Sequence, residues 1–536
     1  MIDVEEYCLG QTGLLLLLCL ILAAASFKWM RVRQRQDDLL SDRLSAGILW
    51  ILIMAGVAAR FWMFASWPAS WNQDEAMHFV NAVHLLETGR IWLAVPSPEE
   101  SFFHPTVFCA WGEGNGQYPL LAYLSLPFLK LFGYTFAAFR LPMLILSAIG
   151  LLSLAYVAYA WKGRRLALVT VSLLLIAPFH VQMSRFALDC YAYVNVMLLA
   201  LALFCHGLGT KKVRYLYGAM ALLGLSMYGW GLSLFSAPAI ACFLLIWLAK
   251  YRLIETRHVM GLTLAYGTVS FPFFLYILIN YFNWPSIELP WCTIPNIGGN
   301  RSTEFVFLMS DREQWLVFKG FVKTWIGMVM QYPTESGGMA GNIRCGCLYP
   351  LTIAPFLLGC VLCCANLVKR CGEEGNGRQS FFPALTLFLL LLFSFQGVIL
   401  EPGLLRLQGF WYVQALAAAF GLFWIWARMP RLFVALALCY AAAFGLFLSF
   451  FFGTDYFERH IFQSDQYEQY QRELKDPGIP RRSIFIIREA YTIMREGKSD
   501  TDRIRQYNQE RQERIEKRRL QKESESSRQL SSPSSS

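Results

Sequence analysis

The feature that most constrains this chain is a series of long blocks almost free of charge. Met143–Trp161, Leu232–Ala249 and Leu432–Phe452 are three of them. Blocks of roughly 18–25 apolar residues match the hydrocarbon thickness of a bilayer. Backbone amides have no water to bond in lipid, so such blocks fold as helices that satisfy their own hydrogen bonds. A spanning barrel would need alternating strands of about ten residues, and that pattern is absent from the sequence. Only 16% of the residues are charged, against about a quarter in a soluble domain. The chain is therefore expected to be an all-α, multi-pass integral membrane protein.

The blocks predict about twelve spans, near 12–30, 45–66, 136–160, 166–183, 188–208, 213–229, 232–249, 258–281, 347–367, 382–400, 406–427 and 431–452. Basic clusters then fall on alternate loops: Arg31/Arg33/Arg35, Lys162/Arg164/Arg165, Lys211/Lys212/Arg214, Lys250/Arg252/Arg257, Lys369/Arg370 and Arg428/Arg431. All lie on one side, which the positive-inside rule makes cytoplasmic. The net charge of +10 is thus spent on topology and in the C-terminal segment, and no nucleic-acid partner is implied. The first block follows the acidic Ile2–Glu6 and precedes its basic residues, the reverse of a cleaved signal. It reads as an anchor with its N-terminus outside.

This divides the chain into an anchor and basic loop (1–44), a membrane domain (45–452) and a charged outer tail (453–536). Two large outer loops, 67–135 and 282–346, are rich in Trp, Tyr, Phe and Pro, as expected of helices lying at the interface. In the tail, Thr501–Glu525 reads as a solvated helix and Ser526–Ser536 as disordered. Most of the fourteen cysteines lie in apolar blocks and act as small hydrophobes. Cys345 and Cys347 have no second pair at zinc spacing.

Candidate chemistry starts at Trp71-Asn72-Gln73-Asp74-Glu75-Ala76-Met77-His78. Apolar residues at Ala76, Phe79, Val80, Val83 and Leu86 predict a short helix beginning at the acidic pair. Asp74 can simply cap that helix, and His78 and His84 can simply be polar-face residues. Further along come Gln117-Tyr118-Pro119-Leu120-Leu121, Leu131-Phe132-Gly133, Phe139-Arg140-Leu141-Pro142 and Ser184-Arg185-Phe186-Ala187-Leu188-Asp189. For Arg140 and Arg185 the plain alternative is interfacial snorkelling, and for Asp189 a helix cap or an ion pair with Arg185.

In order and spacing these pieces resemble the polyprenyl-phosphate-dependent glycosyltransferases of the GT-C fold. The resemblance is to the family 39 branch, with its protein O-mannosyltransferases and aminoarabinose transferases. It covers residues 45–210 well and is looser through Gly346–Pro350 and Leu404-Leu405-Arg406. It implies a GT-C-like bundle in the cell (plasma or inner) membrane, moving a sugar from a polyprenyl-phosphate carrier to an acceptor hydroxyl on the outer face, with inversion. Asp74 matches the catalytic base, and Glu75 the neighbour that organises groups around it. Arg140, Arg185, Asp189, Arg406 and Tyr118 match donor-side positions. The acceptor is a lipid, a protein or a cell-wall polysaccharide. No cofactor is certain, and a divalent metal ion is left open.

The sequence departs from the aminoarabinose branch where that branch carries an acidic residue and a Lys before Pro-Pro. Gln117 and Tyr118 stand there, and Leu120 replaces the second Pro, which argues against that particular reaction. No nucleotide-holding glycine loop is present. A transporter or flippase for a lipid-linked sugar is the competing reading, disfavoured by few charges inside the spans and no internal repeat.

Overall fold

The computed structural model describes residues 39–62, 64, 73–88, 109–111, 115–289, 292–294, 296, 313–331, 345–370, 377–399, 406–452, 482–499, 506, 510 and 513. The expected first span at 12–30 and most of the tail lie outside these residues.

The described chain is almost entirely helical. In order it forms α1 (Leu39–Phe61), α2 (Gln73–Thr88), strands β1 (Cys109–Trp111) and β2 (Asn115–Gln117), α3 (Leu120–Phe132), α4 (Phe136–Lys162), α5 (Arg164–Ile176), α6 (Pro178–Met183), α7 (Asp189–Thr210) and α8 (Val213–Ser226). There follow α9 (Ser233–Lys250), α10 (Thr256–Phe282), β3 (Ile287–Leu289), β4 (Cys292–Ile294), α11 (Glu313–Val329), α12 (Ile353–Arg370), α13 (Gly377–Ile399), α14 (Gln408–Arg428), α15 (Pro430–Phe451) and α16 (Arg482–Glu496). Each strand pair is a small antiparallel hairpin, with Cys109 opposite Gln117 and Ile287 opposite Ile294.

Nine helices among the described residues are long and apolar enough to cross a membrane. Two expected spans take another form. The block near 213–229 yields α8, of 14 residues, about 21 Å at 1.5 Å per residue and short of a bilayer core of about 30 Å. The block near 166–183 is split into α5 and α6 at Ala177-Pro178. Proline lacks the amide hydrogen and clashes with the preceding turn, so the α5 helix ends before it.

The break leaves carbonyls without helical partners, and side chains from elsewhere take them over. The Arg60 guanidinium donates to the Leu175 carbonyl at 2.7 Å and to that of Gly56, and its other nitrogen lies 2.8 Å from His180 Nδ1. Tyr349 Oη donates to the Ile176 carbonyl at 2.6 Å, and the Phe179 amide to the Cys347 carbonyl.

The centre of the bundle is formed by α4, α5, α7 and α14. Helix α14 is buried over nearly its whole length. Small residues permit close packing where lipid supplies no hydrophobic drive between helices. At the α12–α14 crossing, a Cβ on Gly359 would strike the Ala417 carbonyl and one on Gly421 the Pro355 carbonyl. Polar side chains join α14 to α7 inside the bundle. Tyr412 Oη donates to Asn195 Oδ1 at 2.8 Å, and Asn195 Nδ2 to the Tyr191 carbonyl.

Chain direction sorts charge between the two ends of the bundle. Helix α4 carries Arg140 in its second turn and Lys162 at its end, α7 begins at Asp189 and runs into Lys211 and Lys212, and α14 follows Arg406 and ends at Arg428. The candidate residues on these helices thus gather at the end opposite the basic turns.

Candidate active site

Helix α2 carries the acidic pair, Asp74 and Glu75, in its first turn, where carboxylates complement the helix dipole. The two adjacent residues point into different surroundings. Asp74 is exposed, whereas every residue from Glu75 to Leu85 is buried. α2 is therefore enclosed by its neighbours and is not laid bare on a surface. His78 and His84 are buried with it, on the inner faces of the helix.

Glu75 is bound from two directions. Arg140 Nε and one terminal guanidinium nitrogen donate to its two carboxylate oxygens, each at 2.7 Å, and both side chains are fully buried. The Ala187 amide donates to Glu75 Oε1 at 2.9 Å. Arg140 is itself seated by aromatic faces, with Phe136 at 4.8 Å and Phe186 at 5.5 Å from the guanidinium carbon. Its position follows from how α4 starts. Gly133 at φ +75° ends α3, Thr135 caps α4 by accepting from the Ala138 amide, and Arg140 falls in the next turn.

Arg185 follows α6 in the Ser184–Leu188 loop and is fully buried. It donates to the Ala59 carbonyl at 2.8 Å and the Trp62 carbonyl at 2.7 Å, with a longer bond to that of Arg60. A cation there satisfies the open carbonyls at the C-terminus of α1 and complements its dipole. Burial, and secondly the neighbouring Arg140 guanidinium, lower its pKa to about 9. Asp189 does not pair with Arg185. Its Oδ1 accepts from the Cys190 amide, and Oδ2 lies 3.4 Å from His78 Nε2. That is ion-pair distance, but the His78 nitrogen makes no hydrogen bond.

The Glu75–Arg140 pair thus ties α2 to α4, His78 and Asp189 face each other between α2 and the head of α7, and Arg185 braces the end of α1. Tyr118 stands among these residues in sequence but packs elsewhere, its ring on Phe273 at 6.1 Å and its hydroxyl against Gly231. Arg406 is half-buried in the turn before α14. Sequence reasoning missed Arg60 and His180, each a lone ionisable residue in an otherwise uncharged stretch, which is the signal that could have found them. Among the described residues, no group of three or more His, Cys, Asp and Glu side chains stands together as a metal cage. Cys345 and Cys347 are free thiols.

Comparisons with known proteins bear on a part of this architecture. Residues 116–277 match the sequence profile of the dolichyl-phosphate-mannose-protein mannosyltransferase family. No curated protein matches the chain. Among solved structures, the chain is similar to the oligosaccharyltransferase of Archaeoglobus fulgidus in the apo form, at 14% identity and a TM-score of 0.47, over 80% of this chain and 57% of that one. The same archaeal enzyme, AglB, in complex with an inhibitory peptide and a dolichol-phosphate gives 14% identity and 0.47, over 81% and 58%. ArnT from Cupriavidus metallidurans bound to undecaprenyl phosphate gives 13% identity and 0.42, over 84% and 77%. The chain thus spans a little over half the length of the archaeal enzyme. The stretch from residue 116 to residue 277, which carries Tyr118, Arg140, Arg185 and Asp189 but not the acidic pair, is thus similar in sequence to the dolichyl-phosphate-mannose-protein mannosyltransferase family, in keeping with the resemblance read from the order of motifs.

Proposed function

We propose that this protein is a membrane glycosyltransferase that moves a sugar from a polyprenyl-phosphate carrier to an acceptor hydroxyl on the extracytoplasmic face. One observation carries the proposal: two adjacent carboxylates are divided between opposite tasks. Glu75 is buried and neutralised, whereas Asp74, its neighbour on the same helix turn, stays exposed. A general base must be able to reach its substrate. The exposure of Asp74 supports that role for it, and Glu75, held by Arg140 and the Ala187 amide, fixes where the turn sits.

In the proposed reaction the acceptor hydroxyl gives its proton to Asp74 as its oxygen forms a bond to the anomeric carbon. The carbon–oxygen bond to the phosphate breaks on the opposite side, and the electron pair leaves with polyprenyl phosphate. In-line displacement of this kind inverts the anomeric configuration. Cationic groups favour the departing phosphate. Arg406 and Tyr118 are proposed on the donor side. Arg140 and Arg185 act instead through their neighbours, because their described bonds go to Glu75 and to the end of α1. Asp189 is assigned with His78 to holding the head of α7 against α2. The basic turns at the opposite end of the bundle support an outward-facing site in the cell membrane. The acceptor is a lipid, protein or cell-wall hydroxyl.

The test is turnover of a panel of polyprenyl-phosphate sugars by purified protein, wild type beside Asp74→Asn, with a membrane and cell-wall extract as acceptor and release of polyprenyl phosphate as readout. One donor consumed by the wild type and spared by the variant supports both the reaction and the base. Equal turnover by both removes Asp74 from that role. No turnover of any donor, with an extract known to contain competent acceptors, sinks the reading. The same assay with and without chelator reads any need for a divalent ion.

A further inference from the structure

The acidic helix α2 is held from its far side by the C-terminal segment, and neither the motifs nor the proposed chemistry account for this. Helix α16 packs along α2, burying Glu489, Ala490 and Ile493. At the other end of α2, both carboxylate oxygens of Glu87 accept from the Ser499 amide, at 2.9 and 3.1 Å, and the same carboxylate lies beside the Tyr134 hydroxyl in the α3–α4 turn. A second line of contact leads to the site itself. The Tyr491 ring meets the Phe136 ring edge-on at 6.0 Å. Phe136 carries the Arg140 guanidinium on its face, and Arg140 grips Glu75, the residue next to Asp74.

We propose that the segment Arg482–Ser499 is a positioning element of the acidic site: docked on α2 through the face of Ile493 and through Ser499, and on the start of α4 through Tyr491, it sets the place of the first turn of α2 and so of Asp74. Arg488 and Arg495 of α16 face outward, whereas Glu489 lies with Ala490 and Ile493 on the buried side, and the buried residues recur at helical spacing, as a docking face requires. A helix clamped at one end by a buried ion pair and at the other by Glu87 loses most of its freedom to tilt. Displacements of about 1 Å at a reacting group cost on the order of a hundredfold in rate, so a clamp outside the chemistry can govern it. This inference rests on the proposed transferase reading only in its activity arm.

The experiment uses full-length protein in lipid nanodiscs, with amide hydrogen exchange and donor turnover measured on wild type, Ile493→Glu, Glu87→Ala and Arg488→Ala. Ile493→Glu is expected to raise exchange both in 482–499 and in 74–88, and to lower kcat by about tenfold or more with little change in KM for the donor. Glu87→Ala should raise exchange mainly in 84–88 and 497–499, and Arg488→Ala should match wild type. Tyr491→Ala, a milder undocking that leaves the buried face intact, guards against misfolding of Ile493→Glu. It should shift exchange and kcat in the same direction. Faster exchange in 482–499 with unchanged exchange in 74–88 would overturn the inference, as would freed α2 exchange with unchanged kcat. If the wild type turns over no donor, that counts against the transferase reading, and the exchange result alone decides whether the tail holds α2.

Discussion

Glu75 and Arg140, 65 positions apart in sequence, meet in a two-bonded ion pair closed to water. A pair of this kind contributes little net stability once desolvation is counted, but losing one partner leaves the other charge buried and uncompensated. Glu75→Gln is therefore expected to cost roughly 3–5 kcal/mol of stability, and the double variant Glu75→Gln/Arg140→Met distinctly less. Thermal unfolding in detergent checks this. Equal losses in the single and double variants would show that the charge pairing is not what the site depends on.

Asp74→Asn is expected to behave in the opposite way. The side chain is exposed at the start of α2, so unfolding should shift by no more than about 1 kcal/mol, while turnover falls by about two to four orders of magnitude, the range of a lost general base. Parallel melting curves and donor assays separate the two residues of the pair.

Arg185 should prove a residue of the scaffold. Its guanidinium spans three carbonyls at the end of α1, a fork that a single ammonium cannot reproduce. Arg185→Lys is expected to lower the melting temperature and leave KM for the donor near wild type. A raised KM with an unchanged melting temperature would assign Arg185 to the donor phosphate after all.

Inside the bundle, Tyr412→Phe removes the donor to Asn195 Oδ1 and leaves a buried acceptor open. The expected cost is about 1–3 kcal/mol, and Asn195→Leu on the same background should recover part of it. The check is unfolding of the two variants side by side.

The Tyr134 hydroxyl supplies a pH signature. Burial, and then the adjacent Glu87 carboxylate, raise its pKa from 10.0 to about 12. Between those values the unfolded chain has lost the proton and the folded chain keeps it, so the folded state is progressively disfavoured as pH rises from 10 to 12. Below pH 10 both states are protonated and the residue makes no difference. Tyr134→Phe should flatten this alkaline loss of stability. An identical alkaline profile for wild type and Tyr134→Phe would contradict the contact with Glu87.

Among the described residues, nine of the spans were legible because a charge-free block of bilayer length has one conformational solution, whereas the blocks near 166–183 and 213–229 gave a broken helix and a short one. The α5–α6 break was marked by Pro178, but the groups that close it come from Arg60 and Tyr349, and no local pattern links them. Asp74 and Glu75 were legible as a pair. Their division of labour was not, because adjacent residues on a helix differ by about 100° in direction and only tertiary packing decides which side is buried. The docking of α16 did have a signal. Ile487, Ala490, Ile493 and Met494 recur at helical spacing, although the polar stretch beyond Thr501 carries no such stripe.

The Ala177-Pro178 break also bears on how the protein is made. Ile176 offers its carbonyl to a hydroxyl that lies 173 positions later in the chain. A membrane protein emerges from the ribosome N-terminal part first, so that carbonyl waits in a poor hydrogen-bonding medium until Tyr349 arrives. Nascent chains arrested before Tyr349 should stay open to backbone exchange around Leu174–Phe179, and those arrested beyond the 345–370 segment should close. The early helices then reach their final form only when the later half has been synthesised, and an incomplete chain carries its own mark of incompleteness at the Ala177-Pro178 break.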